Sequence, residues 1–278
     1  MQTPPPPGLY IVSTPIGNLS DLSDRAKAML AAADLVLVED SRVTGKLMHH
    51  LGLKKPMRPY HDHSSAADRD AILARLASEV VVLVSDAGTP LIADPGYKLV
   101  AAARTQGANV GAVPGPSAAI MALTLSGLPT DRFFFAGFLP AKEKARRDTL
   151  AGLAALEATL VFYETAPRIA KSLAAARETL GDRPAALARE LTKLYEEVIS
   201  GSLSDLETRV ADAPPKGELV LVIGPPADAG PADEATILAA IDEALANESP
   251  SRAARTVAER FGMKKNDVYA LVQQRTGG

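Results

Sequence analysis

The chain of 278 residues is 47% apolar and 23% charged, ordinary proportions for a globular protein with material for two domains. It has no cysteine, which excludes disulfides and thiolate metal sites and suits a reducing compartment. The net charge of −3 is unevenly spread: from Glu248 onward there are six Lys or Arg against three Asp or Glu, leaving −6 on the residues before. Such a basic tail is either a solvated helix face or the contact for an anionic partner.

The opening "MQTPPPPG" (1–8) lacks the basic and apolar regions of a signal peptide and reads as a short disordered polyproline lead. No apolar run approaches the roughly 18–20 residues of a membrane-crossing helix, so the expectation is a soluble, cytoplasmic protein with no membrane partner. Beyond the lead, short apolar runs alternate with helical patterns. "LYIVST" (9–14) leads to a helix near Ser23–Ala33, and "DLVLVED" (34–40) to one running through Leu51. "EVVVLVS" (79–85) precedes a helix from Pro95 to about Gln106, and "NVGAV" (109–113) one from Pro116 to Ser126. Strands this apolar, separated by helices, predict a parallel sheet covered on both faces, forming a domain over 9–127.

A hinge falls at "SGLPTD" (126–131), and a second domain is predicted over 131–226. Its strands are "DRFFFAGFLP" (131–140), "TLVFYE" (159–164), "AALARELT" (185–192), "EEVISGSL" (196–203) and "GELVLVIG" (217–224). Helices do not separate every pair, which predicts a mixed sheet. "GPPADAGPAD" (224–233) is a linker. The segment 232–278 then reads as about three helices, the second begun by Ser249 and Pro250. The last two are spaced as a helix-turn-helix or as a plain packing appendage.

Three Gly/Pro turns follow successive strands of the first domain: "TPIGN" (14–18), "SDAGTP" (85–90) and "VPGPSA" (113–118). Loops at the carboxyl ends of a parallel sheet converge on one crevice, the usual ligand site. In "PGPSA", Gly115 as N-cap and Pro116 at the first helical position leave the N–H groups of Ser117 and Ala118 for an anion. No G-x-G-x-x-G and no P-loop occurs. All four histidines lie at 49–50, 61 and 63, with no cysteine beside them, so no metal site is expected. At strand ends stand Glu39, Asp40 and Arg42 ("EDSR") and Arg189, Glu190 and Lys193 ("RELTK"), either edge ion pairs or groups for substrate orientation and proton transfer. "AKEKARR" (141–147) presents Lys142, Lys144, Arg146 and Arg147, either a solvated helix start or a phosphate-contacting loop.

Taken together, "TPIGNL", "EDSR", "YHDH", "SDAGTPLIADPG", "VPGPSA", "GLPTDRFFFAGFLPAK", "FYET", "ARELTK" and "KGELVLVIG" resemble the bacterial small-subunit ribosomal RNA 2′-O-methyltransferases. These belong to the tetrapyrrole-methylase-like (class III) S-adenosylmethionine-dependent superfamily. The match runs from about residue 9 to residue 224, and the basic tail agrees; Ser41, Ser64, Ser65 and Ala93 depart from the family pattern. The resemblance implies an α/β two-domain fold with a mostly parallel first sheet, a mixed second sheet and a small C-terminal helical segment. It also implies a homodimer and S-adenosyl-L-methionine in the cleft. Pro15, Ala87, Gly88, Thr89, Ile92, Ser117 and Ala118 are implied on the first-domain side of the cofactor, and Tyr163, Glu164, Glu190, Leu191 and Glu218 on the second. The implied acceptor is the ribose 2′-hydroxyl of a cytidine in the decoding centre of 16S ribosomal RNA in the small subunit. Lys193 with Glu190, or Asp40 with Arg42, are the catalytic candidates, and Lys142, Lys144, Arg146, Arg147, His61, His63, Lys264 and Lys265 the RNA-binding ones. The competing readings are a porphyrinogen-like small-molecule methylase of the same fold and a non-enzymatic binding module.

Overall fold

The computed structural model describes residues 4–61, 64–226, 234–261 and 263–276. A first compact unit ends at Pro225 and a second begins at Pro226. The first unit opens with β1 (Gly8–Val12), α1 (Asp24–Ala32), β2 (Leu35–Val38), α2 (Ser41–His50), β3 (Met57–Pro59) and α3 (Ala66–Arg75). It continues through β4 (Val80–Leu83), α4 (Tyr97–Thr105), β5 (Val110–Val113) and α5 (Ala118–Leu125). All five strands are parallel, in the order β3-β2-β4-β1-β5.

Period-two alternation sends the strand side chains to opposite faces. Tyr10, Val12, Val36, Val38 and Val82 pack with Leu30 of α1 and Met48 of α2. Leu9, Leu35, Leu37, Val81 and Leu83 pack on the other face with Ile72 of α3 and Leu99 of α4. Both faces are therefore covered by apolar side chains, as continuous apolar runs demand.

The unit continues with β6 (Phe133–Phe138), α6 (Glu143–Leu153), β7 (Thr159–Thr165), α7 (Ile169–Leu180) and β8 (Pro184–Arg189). β9 (Glu197–Ser202), α8 (Leu203–Asp212) and β10 (Glu218–Ile223) complete it. The sheet order is β6-β7-β10-β8-β9, with β6 parallel to β7 and every other pair antiparallel, a mixed sheet. One face packs on α7 and α8 through Leu160, Phe162, Leu173, Leu206 and Leu221. The other receives α5 and the first loop. Ile16, Ala119, Ala122 and Leu123 share a core with Val161, Ala186, Ala188, Leu191 and Val220, and this core joins the two sheets. The alanines facing one another there let helix and sheet approach closely.

In the second unit, α9 (Glu234–Leu245), α10 (Pro250–Phe261) and α11 (Lys265–Thr276) enclose Ile241, Ala254, Val257, Val268 and Val272. Among the described residues no helix is long and apolar enough to cross a membrane.

Several expectations need correcting. β1 begins at Gly8, and the hydroxyl of Tyr10 donates to the carbonyl of Pro6 at 2.7 Å, so the end of the proline lead is anchored. β3 and α3 lie between the expected second and third strands. The turns at 85–90 and 113–118 thus follow β4 and β5. The helix expected from Pro95 starts at Tyr97, and the one expected from Pro116 starts at Ala118 with Ser117, not Gly115, as its N-cap.

Candidate active site

The turns after β1, β4 and β5 are bonded into one structure. Thr14 and Gly88 exchange two backbone hydrogen bonds, at 2.8 and 3.1 Å. The hydroxyl of Thr89 donates to the carbonyl of Pro116 at 3.0 Å and lies 3.1 Å from that of Ser13. Within "SDAGTPLIADPG", φ is positive at Gly88 (79°), Leu91 (73°), Ala93 (65°) and Gly96 (132°). Non-glycine residues rarely hold this conformation, and two of them here mark a loop whose shape is imposed by its anchors.

Between this loop and the second sheet lies a cavity of about 320 Å³. Nine of the twelve residues implied to meet the cofactor line it: Ala87, Gly88, Thr89, Ile92, Ala118, Tyr163, Glu164, Leu191 and Glu218. Pro15, Ser117 and Glu190 do not. Pro15 precedes the lining residue Ile16, and Ser117 faces the hydroxyl of Tyr163. The sequence reading missed Ile16, Ala93, Asp94, Phe138, Thr165, Ala188, Leu219 and Val220. Asp94 had a signal, since it sits inside the most characteristic motif of the chain. Ala188 of β8 and Leu219 and Val220 of β10 had none.

Tyr163 is braced by Phe135 and Phe138, edge-on at ring-centroid distances of 4.9 and 5.6 Å. Burial raises its hydroxyl above the usual range. Burial likewise pushes the carboxyl of Asp94 up to about 6; the carboxylates of Glu39 and Asp86 add to the rise, and a hydrogen bond with Ser85 opposes it. Glu164 is different: its side chain is fully enclosed. Ser172 Oγ donates to it at 2.5 Å and the Thr165 N–H at 2.8 Å, while Arg168 Nη2 lies 3.5 Å away. Its oxygens are thus occupied by the protein, and its carboxylate anchors β7 to α7.

The four catalytic candidates form two separate ion pairs. Lys193 Nζ donates to Glu190 Oε1 at 3.1 Å and to Glu218 Oε2 at 3.0 Å, at the cavity wall. Burial pulls the ammonium of Lys193 down, but Glu218 and Glu190 together outweigh it and hold it above its ordinary value. Glu190 is held below its own range, first by the Glu218 N–H and then by Lys193. This knot needs two glycines. A Cβ on Gly217 (φ 89°) would fall 2.1 Å from Glu190 Oε1, and one on Gly17 would fall 2.4 Å from Lys193 Cγ. Asp40 and Arg42 do not line the cavity. Asp40 caps α2 through the Arg42 N–H at 2.8 Å and takes the Arg42 guanidinium, which holds its carboxyl at about 2. Its own N–H donates to Asp86 Oδ1 at 3.0 Å, tying the pair to the first residues of the cavity loop.

Among the RNA-binding candidates, Arg146 is corrected. It is buried, and its guanidinium donates to the carbonyls of Pro140 and Ala141, closing the turn into α6. Lys144 pairs with Asp148 at 2.7 Å, and Arg147 with Glu178 at 2.6 Å and Glu143 at 3.2 Å. Lys142, His61, Lys264 and Lys265 are exposed, and His63 lies outside the described residues. Among the described residues no group of three or more His, Cys, Asp or Glu is placed to hold a metal ion.

Comparison with known proteins now bears on these features. The family of tetrapyrrole (corrin/porphyrin) methylases matches residues 8–207, and the RsmI C-terminal HTH domain matches residues 231–275. The "Ribosomal RNA small subunit methyltransferase I" of Erythrobacter litoralis is 52% identical over 264 residues, covering 95% of this chain and 94% of that protein. The protein of the same name from Mesorhizobium japonicum is 46% identical over 267 residues, covering 95% and 90%. Among solved structures, a diphthine synthase superposes with a TM-score of 0.61 at 16% identity, covering 78% of this chain and 89% of that one, a likeness of fold.

Proposed function

This chain belongs to the ribosomal RNA small subunit methyltransferase I family of the tetrapyrrole methylases, and on that premise we propose that it methylates small-subunit ribosomal RNA from S-adenosyl-L-methionine. The acceptor in this reading is the ribose 2′-hydroxyl of a cytidine in the decoding centre, and the setting is the cytoplasm. The observation that carries the reading is the joint match of the methylase segment and the helix-turn-helix segment within one chain. A helix-turn-helix is a nucleic-acid module, which a small-molecule methylase does not need.

The cavity fits the cofactor. Its volume is at the lower end for ligand sites. Its walls combine apolar and aromatic surface (Ile16, Phe138, Tyr163, Val220) with the carboxylates of Asp94 and Glu218. That set suits a ligand with a flat purine at one end and cationic sulfonium and amino groups at the other. When bound, the cofactor supplies a methyl group already activated for transfer.

What remains for the protein is to hold the acceptor oxygen in line and to manage its proton. Lys193, kept as an ammonium by its two carboxylates, cannot take a proton, but it stabilises negative charge developing on the 2′-oxygen. Glu190 is a poor acceptor because its hydrogen bonds favour the ionised form. Asp94 lines the cavity with a proton affinity close to neutrality, the best match to a general base. Asp40 and Arg42 serve in this reading by setting the start of α2 beside Asp86.

The test is transfer of label from radiolabelled S-adenosylmethionine to small ribosomal subunits from a strain lacking the protein, followed by alkaline hydrolysis. Label kept in one alkali-resistant dinucleotide is the expected result. Label released as mononucleotides means base methylation and overturns the ribose assignment. A bound cofactor with no label in RNA transfers the reading to a small-molecule acceptor.

A further inference from the structure

Between Asp40 and Asp62 the chain carries five Lys or Arg and three His without a single carboxylate, although the protein as a whole is acidic. In α2, Arg42, Lys46, His49 and His50 recur at the spacing of one helix face. Thr44 and Met48 are the buried residues of the same helix. Within this segment Arg42 is paired with Asp40 and Arg58 with Asp68, as Lys144, Arg147, Arg177, Arg255 and Arg275 are paired with carboxylates elsewhere. Among the described residues Lys46, Lys54 and Lys55 have no salt bridge, and Lys46 and Lys54 are exposed. His49, Lys54 and Lys55, with Met48 and Leu53, line an open concavity of about 490 Å³ between the end of α2 and the edge strand β3.

We infer that α2 and the loop after it, Ser41 to Arg58, form a docking surface for the phosphate backbone of the RNA substrate. The inference rests on the RNA reading above and goes beyond it by assigning the contact to Lys46, His49, His50, Lys54 and Lys55, which the sequence motifs left unassigned. Position favours RNA over other polyanions. The stripe starts at Asp40, bonded to Asp86 beside the cavity loop, and ten helical residues carry it roughly 15 Å away from that point. A strand with one ribose in the cavity has its neighbouring phosphates within reach of this face. The guanidinium forks of Arg42 and Arg58 are held by Asp40 and Asp68, which leaves ammonium and imidazole groups to position a backbone without reading bases.

The experiment compares wild type with the variant Lys46→Gln/Lys54→Gln/Lys55→Gln. Cofactor affinity is measured by calorimetry, and affinity for the 16S RNA and the small subunit across a salt series. The expected result is unchanged cofactor affinity, RNA affinity lower by about tenfold or more, and a slope of log affinity against log salt shallower by about two to three. Arg177→Gln, which removes a cation already paired with Glu207, leaves both RNA quantities unchanged. Wild-type affinity and slope in the triple variant, with methylation of RNA intact, overturn the surface alone. Wild-type protein that neither binds nor labels RNA overturns the surface and the RNA reading together. Loss of affinity for anionic lipid vesicles but not for RNA overturns the choice of partner.

Discussion

Asp94 shows how one residue ties stability to chemistry. Its carboxyl is raised from 3.8 to about 6, chiefly by burial. The folded state therefore keeps a proton that the unfolded state releases, and stability falls as the pH rises from about 4 to about 6, then levels off. Asp94→Asn removes this dependence. The variant is expected to be more stable than wild type above about pH 6 and equal to it below about pH 4, which thermal midpoints across that range check. If Asp94 takes the substrate proton, the same variant loses turnover and the acid limb near pH 6 of the rate profile. A stability gain that does not vary with pH sinks the assignment.

Lys193 is shifted in the same sense but titrates in a different window. Its raised value makes its contribution complete below its unfolded value of 10.5, and lost only above the folded one, so no change is expected from pH 6 to 9. Lys193→Ala is expected to lower turnover by about 10²-fold, the scale for removing one group that stabilises developing charge, with cofactor affinity little changed. Asp40→Ala removes a helix cap and acts mainly on stability. Full turnover in both variants removes both pairs from the chemistry.

At the scale of elements, the loop from Ser85 to Gly96 is the part whose backbone departs most from ordinary strand and helix geometry. Ala93 holds a left-handed conformation that disfavours any side chain. Ala93→Gly relieves that conformation while loosening the unfolded chain, for a net gain of about 0.5 kcal/mol in stability. A denaturation midpoint below that of wild type contradicts the loop geometry. The regular elements were more legible than the loops. β2 and β4, each four apolar residues, stand out in any reading, as do β8 and β10. β3 did not: "MRP" has no apolar pattern and is a strand only because β2 offers it a parallel edge. The sequence pattern places the start of α5 two residues early because "PGPSA" satisfies the rules for a helix start at Gly115 and Pro116. Ser117 is extended there, with φ −144°, and its side chain turns toward Tyr163.

For the whole molecule, α5 is the element with two apolar sides. Ala119, Ala122 and Leu123 enter the core shared by the sheets, while Ile120, Met121 and Leu125 are exposed, 39–49% in each case. Phe133 and Phe134 on the edge strand β6 are exposed as well. A helix apolar all round belongs in an interior, and we propose a second copy of the chain as the partner of this surface. We expect Met121→Glu/Leu125→Glu to sediment as a monomer at concentrations where wild type is a dimer. A wild-type monomer, or a dimeric variant, sinks this assignment.

Sequence alone determined the order of strands and helices in most of the chain, the parallel class of the first sheet, the mixed class of the second and the three turns that meet at the cavity. These are local quantities: a period of two or 3.6 in apolar residues, and Gly or Pro where the backbone must turn. Tertiary structure decided the rest. It set the strand order β3-β2-β4-β1-β5, carried α5 across to the second sheet, and joined Lys193 to Glu218, 25 positions away. It also separated the cations in kind, with Arg146 buried against carbonyls and Lys46 and Lys54 left open to solvent. The reason is that a charge is neutralised, and a strand finds its neighbour, through contacts between residues distant in the chain, which local periodicity does not encode.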